Sequence, residues 1–369
     1  MPATLDRVLV TGGAGFIGCN FVRHLLASSD AQVVVLDKLT YAGNLASLAD
    51  VAESPRFRFV RGDIADRNTV DAVIREQRPS AVVNFAAESH VDRSIDGPAA
   101  FLRTNVTGVF ELLESARAHL ELLPADARQA FRFLHVSTDE VFGSLGESGA
   151  FTETTPYSPR SPYSATKAGA DHLVRAWHDT FGLPVLVTNC SNNYGPYQYP
   201  EKLIPLMILN AVEGKPLPIY GDGLNVRDWL FVEDHCSAVR TVLERGRPGR
   251  SYNVGGNCER TNLQLIDALC EALEAELPAA RNASLAASGV EHYAELKSFV
   301  EDRPGHDRRY AIDATRIRDE LGWEPARDLE SGLRATVRWY LDHRDWCENV
   351  ESGAYRRERL GLRRGGAGG

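Results

Sequence analysis

The feature that most constrains the fold is a glycine-rich turn near the amino terminus. An apolar run at residues 7–11 precedes Gly12, Gly15 and Gly18, and apolar residues then recur with helical spacing over residues 16–26. A turn of this kind between a strand and a helix lets backbone N–H groups approach a pyrophosphate at the positive end of the helix. The pattern therefore predicts a strand–turn–helix unit that binds a dinucleotide.

A second apolar run, residues 32–36, ends in Asp37. In dinucleotide-binding folds a carboxylate at this position accepts hydrogen bonds from the adenosine ribose and repels a 2′-phosphate. Asp37 therefore favours NAD over NADP as the cofactor. The alternative, a plain glycine turn and a surface aspartate, does not account for the strand before the turn and the helix after it.

Strand-like and helix-like patterns alternate up to about residue 190, which indicates a parallel sheet with right-handed crossovers. The prediction is an α/β fold with a Rossmann-type doubly wound parallel sheet and a smaller mixed α/β substrate lobe. We expect the NAD-binding domain at residues 1–190 and mainly the second, substrate-binding lobe at 191–350, without excluding segments that return to the sheet. A flexible basic tail is predicted at 351–369. The predicted strands are residues 7–11, 32–36, 57–61, 80–85, 131–136, 183–189, 217–220 and 251–254.

Polar chemistry follows the apolar run at residues 131–136. Two hydroxyls and two carboxylates, on Ser137, Thr138, Asp139 and Glu140, stand where that strand should end. In open α/β sheets the carboxyl ends of the strands line the ligand crevice. These side chains are therefore candidates for catalysis.

Tyr163 and Lys167 open a strongly helical segment, and their spacing of four places them one turn apart on one helix face. A lysine cation one turn away favours the phenolate and lowers the tyrosine pKa, so that the phenol can accept a proton near neutral pH. A bare pair of this kind is more often a packed tyrosine and a solvated lysine. The dinucleotide turn in the same chain favours the catalytic interpretation.

Composition excludes several classes of function. The chain has 369 residues and a net charge of −9, and no basic patch stands out in the first 350 residues, so we expect no nucleic-acid partner. The six cysteines are scattered without metal-ligand spacing, which predicts reduced thiols and no metal site. Because no apolar run approaches the roughly 18 residues of a spanning helix and no signal peptide is evident, we expect a cytoplasmic protein without membrane contact.

Other polar positions have two possible interpretations. Asp63 follows the third strand, where it accepts from the adenine amine or caps the next helix. Lys202 and Arg227 match phosphate oxygens, or are solvated surface charge, and spacing alone weighs the two equally. A lone histidine is more often structural than catalytic, so His90 is assigned only a substrate contact.

Taken together, the motifs resemble the extended short-chain dehydrogenase/reductase family, and within it the dTDP-glucose 4,6-dehydratases. The resemblance extends from the glycine turn to Tyr310. The related 4-epimerases share the glycine turn and the Tyr/Lys pair but lack the acid pair of Asp139 and Glu140. Two departures are visible: Phe142 replaces the usual tyrosine, and the loop at 144–162 is short. The matching runs are residues 11–18, 37–41, 86–90, 137–141, 163–167, 189–196, 201–205 and 302–306.

The resemblance implies a reaction and a division of roles. dTDP-glucose would become dTDP-4-keto-6-deoxyglucose and water through internal hydride transfer by bound NAD. Tyr163, supported by Lys167, would take the proton of the 4-hydroxyl, and Thr138 would hydrogen-bond the same oxygen. Glu140 would then remove the C5 proton, and protonated Asp139 would donate to the departing C6 hydroxyl. A homodimer is also implied. The alternatives are a nucleotide-sugar 4-epimerase and a catalytically silent Rossmann-fold binding protein.

The resemblance and the residue patterns also predict the binding residues. The cofactor residues are Gly12, Gly15, Phe16, Ile17, Gly18, Asp37, Lys38, Leu39, Thr40, Asp63, Ile64, Ala86, Ala87, Ser89, Thr104, Tyr163, Lys167 and Asn193. The substrate residues are His90, Thr138, Asn192, Lys202, Leu203, Pro218, Ile219, Tyr220, Arg227, Asn262, Asp302, Arg303 and His306.

Overall fold

The structure is a computed structural model that describes residues 5–302 and 307–352. The predicted substrate residues Arg303 and His306, and most of the predicted tail, lie outside the described residues. The strands are β1 Arg7–Thr11, β2 Gln32–Asp37, β3 Phe57–Arg61, β4 Ala81–Asn84, β5 Arg132–Thr138, β6 Val185–Cys190, β7 Asn192–Tyr194, β8 Leu217–Tyr220, β9 Val226–Phe231, β10 Ser251–Val254, β11 Glu259–Thr261 and β12 Lys297–Val300.

Helices cover most of the chain between these strands. A π-helical stretch, Leu102–Gly108, joins α4 to α5 without a break. The α-helices are α1 Phe16–Ser28, α2 Arg67–Gln77, α3 Val91–Asp96, α4 Pro98–Phe101, α5 Val109–Leu122, α6 Ala125–Ala130, α7 Pro162–Phe181, α8 Leu203–Val212, α9 Val232–Arg245, α10 Asn262–Glu276, α11 Ala283–Ser288, α12 Thr315–Leu321, α13 Leu329–Asp342 and α14 Arg344–Ser352.

Seven parallel strands form the central sheet, in the order β10-β6-β5-β4-β1-β2-β3. The prediction of a Rossmann-type α/β fold is confirmed. Strand β10 comes from the region expected to form mainly the second lobe, and it extends the sheet by pairing with β6.

The two faces of the sheet carry separate cores. In β1, Val8 and Val10 belong to the cluster that includes α1 and α9, whereas Leu9 belongs to the cluster that includes α2, α5 and α7. All three side chains are fully buried. Because side chains alternate along a strand, a run buried on both faces is apolar throughout. The sheet is therefore covered on both sides, and ligands can reach it only at its edges.

The second lobe is built from two small sheets, β11-β9-β7 and β12-β8, packed against helices α8, α10 and α13. Helix α11 lies in the connection between α10 and β12, and its N-cap Asn282 accepts a hydrogen bond from the Ser284 amide. The chain also continues past α13 into α14, where Trp346 and Val350 pack into the lobe core. These helices are short, so their patterns were too weak to read.

Among the described residues, no helix combines the length and the apolar composition needed to cross a membrane.

The glycine turn gives a test of the packing. A Cβ atom on Gly18 would overlap the carbonyl oxygen of Gly12, which is backbone and cannot move away. We expect Gly18→Ala to lower the free energy of unfolding by about 1–3 kcal/mol, as overpacking does, measured by urea denaturation. In the control, Gly146→Ala, nothing lies within 4 Å of the added atom, and the change should stay within about 0.5 kcal/mol. Equal stability of the two variants would contradict this packing.

Candidate active site

A cavity of about 300 Å³ opens at the carboxyl edge of the central sheet. It lies where β1, β2, β4, β5 and β6 end, which is where doubly wound sheets bind ligands. The predicted residues that line it are Gly12, Gly15, Phe16, Ile17, Gly18, Asp37, Lys38, Thr40, Ile64, Ala86, Ala87, Ser89, Thr104, Thr138, Asp139, Glu140, Tyr163, Lys167, Asn192, Asn193 and Lys202.

The glycine turn forms one wall of the cavity. Gly12 has φ +68°, and a Cβ there would lie 2.6 Å from the backbone nitrogen of Ala86. The Gly15 amide donates to the Gly12 carbonyl (3.2 Å), and α1 begins at the next residue, Phe16. The amino-terminal end of α1 therefore faces the cavity with no side chain at Gly12 or Gly15, and this geometry suits a pyrophosphate.

Asp37 lies at the end of β2 and is buried. Its Oδ2 accepts from the Ala14 amide (3.0 Å), and its Oδ1 accepts from the Leu39 amide (2.8 Å). Burial raises the pKa of this carboxyl, whereas the two amide hydrogen bonds oppose the rise. Leu39 itself is outside the cavity lining; it has φ +58° and packs against the sheet core, so it acts on this site through its amide.

The acid pair stands directly after β5. Thr138 ends the strand, and its Oγ1 accepts from the Glu140 amide (3.2 Å), which begins the short helical turn Asp139–Phe142. Helix α7 starts at Pro162 with a reciprocal capping box between Ser161 and Ser164. These two helix starts bring the acid pair and the Tyr163/Lys167 pair to the same cavity.

Asp139 is almost completely buried, and its Oδ2 has no hydrogen-bond partner among the described residues. Burial raises its pKa well above the ordinary value, and the charges of Glu140 and Asp228 raise it further, against the opposing effects of Arg227 and Thr138. The sequence alone does not show whether burial or the charge of Glu140 raises this pKa more. In the structure burial has the larger effect. A carboxyl in this setting holds its proton near neutral pH and suits a proton donor.

The prediction that the pKa of Tyr163 is lowered was wrong for the chain by itself. Burial raises the pKa of Tyr163 well above its ordinary value and Glu140 adds to the rise, whereas a hydrogen bond from Thr138 opposes it. The Lys167 ammonium donates to the Val136 carbonyl (2.7 Å). Burial lowers the pKa of Lys167. The phenol therefore needs additional positive charge nearby before it ionises to the phenolate, which is the form that can accept a proton.

Two residues predicted to touch ligands have structural partners. Asp63 accepts from the Ala65 amide (2.9 Å), and helix α2 is capped by Asp66 instead. His90 is the N-cap of α3, where its Nδ1 accepts from the Arg93 amide (3.4 Å). Neither residue is part of the cavity lining. The Nε2 atom of His90 does lie 3.8 Å from Oε2 of Glu201, and Glu201 lines the cavity.

The remaining predicted substrate residues lie in the second lobe, outside the cavity lining. Arg227 is buried, stacks on the Tyr310 ring at 4.3 Å and donates to the Asp307 carbonyl (2.8 Å). Leu203 begins α8 and Asn262 begins α10. The others follow or form the edge of the small β12-β8 sheet: Pro218, Ile219, Tyr220 and Asp302.

Several residues around the cavity were missed from the sequence. Asp228, on β9, accepts from the Gly256 and Cys258 amides and adds to the field at Asp139. Its proximity depends on strand β9 pairing with β7, which no local pattern reveals. The irregular segment after β6 contributes further lining residues: Cys190, Ser191, Gln198, Tyr199 and Glu201. No group of three or more His, Cys, Asp or Glu side chains suited to a metal is found among residues 5–302 and 307–352.

Comparisons with known proteins identify the family. Residues 9–336 match the family model described as GDP-mannose 4,6 dehydratase. A curated protein of Neisseria meningitidis serogroup B named dTDP-glucose 4,6-dehydratase is 56% identical over 97% of this chain and 99% of its own length. The chain belongs to the dTDP-glucose 4,6-dehydratase family.

Solved structures agree with this assignment. The crystal structure of a dTDP-glucose 4,6-dehydratase from Streptomyces venezuelae with NAD bound has a TM-score of 0.83 and 47% identity, covering 93% of this chain and 99% of that one. A UDP-glucose 4-epimerase from Thermotoga maritima has a TM-score of 0.78 at 28% identity, covering 91% of this chain and 99% of that one. Family members and epimerases therefore share the fold, and the site must distinguish them.

The buried acid gives a pH-dependent prediction. Between the unfolded pKa of about 3.9 and the raised folded value, the folded chain holds a proton on Asp139 that the unfolded chain has lost, so this group's contribution to stability falls as pH rises. An amide does not titrate. We therefore expect Asp139→Asn to gain stability relative to wild type between about pH 5 and pH 8, measured by urea unfolding. The exposed control Asp126→Asn should show no such gain; a constant difference for Asp139→Asn would contradict the assigned burial effect.

Proposed function

We propose that this protein converts dTDP-glucose into dTDP-4-keto-6-deoxyglucose and water, as an NAD-dependent hydro-lyase of deoxysugar biosynthesis. The observation that carries the proposal is the meeting of an acid pair and a Tyr/Lys pair in one cavity beside a dinucleotide turn. Asp139 is buried while Glu140 is only partly buried, so the two adjacent carboxyls have different environments. One acid and one base side by side are what an elimination needs.

The cavity fits NAD. The glycine turn leaves room for a pyrophosphate, Asp37 is placed to accept from ribose hydroxyls, and Lys38 and Thr104 lie against each other in the same lining (2.9 Å). Asp37 also disfavours a 2′-phosphate. When bound, NAD would supply the hydride chemistry, acceptance from C4 and return to C6.

Tyr163 and Thr138 act on the sugar 4-hydroxyl. The side chain of Tyr163 accepts the hydroxyl proton as the phenolate, which forms once positive charge nearby offsets the effect of burial on its pKa. Lys167 contributes to that charge from the next turn of α7. The Thr138 hydroxyl is close enough to Tyr163 to hydrogen-bond it, so it can orient the same oxygen.

Glu140 and Asp139 carry out the elimination. The keto group at C4 acidifies the C5–H bond, and Glu140 removes that proton. Asp139, protonated because it is buried, donates its proton to the C6 hydroxyl, which leaves as water. Glu140 regains its starting state when it returns a proton to C5, and the proton that Tyr163 took from the 4-hydroxyl balances the one that Asp139 gave to the departing water.

The second lobe supports a proposal for how the substrate's diphosphate is bound, and exposed helix faces support a proposal for how the protein assembles. Lys202 and Asn192 line the cavity, and Arg227 supports its acid side; the preference for dTDP rests on the family. Exposed apolar side chains on the α5 and α7 face, including Phe110 and Phe181, favour a homodimer formed by packing these helices. We also place the protein in the cytoplasm.

A 4-epimerase is the second candidate, because an epimerase has the same fold. Inversion at C4 needs the Tyr/Lys pair but neither a C5 base nor a donor to the C6 hydroxyl. Asp139 and Glu140 would then have no task. In a catalytically silent binding protein, five side chains would have no catalytic role: Thr138, Asp139, Glu140, Tyr163 and Lys167.

The proposed function is tested by product analysis. Incubation of the purified protein with dTDP-glucose should give a 4-keto-6-deoxy sugar, identified by mass spectrometry and by the alkaline absorbance of the keto product. UDP-glucose and GDP-mannose, tested in parallel, should react far more slowly. Formation of dTDP-galactose would indicate an epimerase instead. No reaction with dTDP-glucose, from protein shown to hold NAD, would contradict the proposal.

The role of Glu140 is tested by exchange at C5. In deuterated water, Glu140→Gln should lose solvent exchange at C5 and lower kcat by about 10²–10⁴-fold, since it removes a general base, while the first oxidation at C4 is retained. Glu147→Gln, an exposed glutamate nearby, is the matched control and should behave as wild type. Full C5 exchange in Glu140→Gln would exclude Glu140 as the base.

A further inference from the structure

Beneath the cavity lies a buried charge cluster, defined as Lys167, His135 and Asp171, of which the proposed mechanism uses only Lys167. His135 and Asp171 are fully buried and Lys167 is 4% exposed. Ionised side chains are rarely buried without partners, because removal from water is costly. The cluster therefore requires an explanation beyond packing.

Lys167 reaches the cluster from α7. Its ammonium donates to the Val136 carbonyl (2.7 Å), and Nζ lies 3.3 Å from Nε2 of His135. Asp171, one turn further along α7, places Oδ1 3.5 Å from the same His135 nitrogen. One imidazole nitrogen thus lies between the ammonium and the carboxylate.

The carboxylate of Asp171 is held from several sides. Its Oδ2 accepts from the Ser137 hydroxyl (2.8 Å) and from the Tyr157 hydroxyl (2.8 Å), and lies 3.4 Å from Asn189 Nδ2. Tyr157 in turn accepts from Arg175 (2.5 Å). These contacts fix the position of the negative charge, since they come from β5, β6 and the loop before α7.

His135 is neutral in this arrangement. Its Nδ1 lies 3.0 Å from Nδ2 of Asn84, whose Oδ1 accepts from the Thr11 hydroxyl. Burial lowers the pKa of His135 well below its ordinary value, and the Lys167 charge adds to the effect. Burial raises the pKa of Asp171, and the charge of Lys167 comes first among the effects that oppose the rise, so the ammonium and the carboxylate each favour the charged form of the other.

The groups around Lys167 and Tyr163 have opposite effects on the two pKa values. Burial lowers the pKa of Lys167, and Asp171, then Cys190, oppose that effect. On the side of Tyr163, burial and then the charge of Glu140 disfavour the phenolate. Asp171 is thus the carboxylate that favours the charged lysine, and Lys167 is needed because the other neighbours of the phenol are acidic.

We propose that Asp171 is a positioning residue, which keeps Lys167 charged and in place beneath Tyr163 through the intervening imidazole of His135. The proposal deepens the proposed function and rests on it. The role is electrostatic rather than that of a proton channel, because the reaction takes up and returns its protons within the cavity.

The first test is the pH profile of kcat/KM for dTDP-glucose. Asp171→Asn weakens the charge on Lys167, so the limb that reports deprotonation of Tyr163 should move up by about one pH unit, which is about tenfold in rate below the limb. KM should change little, because Asp171 is outside the cavity lining. Asp171→Glu keeps the charge and should keep the limb; Asp179→Asn, exposed on the same helix, should leave the profile unchanged.

The second test needs no activity. Asp171→Asn leaves a buried ammonium without its counter-charge, which destabilises the fold, whereas Lys167→Met/Asp171→Asn removes both charges. The double variant should therefore unfold at a higher urea concentration than Asp171→Asn, even if the single variant barely folds. A double variant no more stable than Asp171→Asn, or a fall in rate at every pH without a limb shift, would overturn the proposal. Stability coupling without any turnover in wild type would instead overturn the proposed function alone.

Discussion

Burial of one carboxyl beside a second that water still reaches is the constraint on which the site depends. Asp139 and Glu140 are sequence neighbours, yet the short helical turn that begins at Thr138 turns one inward and leaves the other partly open. Burial then raises the pKa of Asp139 well above its ordinary value without any change of residue type. The fold's contribution to chemistry is this difference, because identical environments would give two bases or two acids.

The same principle governs the cations and the phenol. Tyr163 has acidic neighbours and is buried, so its proton is released only if positive charge is assembled nearby. In the proposed mechanism Lys167 supplies part of that charge, and Asp171 opposes the lowering of the Lys167 pKa by burial. The ionisation of each buried group at the site therefore depends on the charge of its neighbours. Such arrangements cost stability, and the large apolar cores on both faces of the sheet offset that cost.

Sequence reasoning found what is local. The glycine turn, the acid at the end of β2 and the Tyr163/Lys167 spacing each involve positions close together in the sequence, so a local pattern shows them. Helix α10, Asn262–Glu276, is equally local in origin, because Thr261 and Gln264 form a capping box directly before its apolar stripe. The residues predicted to bind the substrate and the cofactor remain predictions, although most of the predicted cofactor residues line one cavity.

What the sequence could not provide is proximity between distant segments. Asp228 reaches the field of Asp139 only because β9 pairs with β7, and β10 joins the central sheet from far along the chain. The sign of the Tyr163 shift was also inaccessible, since it depends on burial that no spacing encodes. Charge effects at a site are set by what surrounds it in three dimensions, and that is where the prediction failed.

The central claim, that the buried carboxyl of Asp139 is protonated, is tested most directly by infrared difference spectroscopy at neutral pH. The wild-type protein should show the carbonyl stretch of a protonated carboxylic acid that is absent from Asp139→Asn and retained in Glu140→Gln. If wild type and Asp139→Asn gave the same spectrum in that region, the carboxyl of Asp139 would be ionised and the account would be wrong.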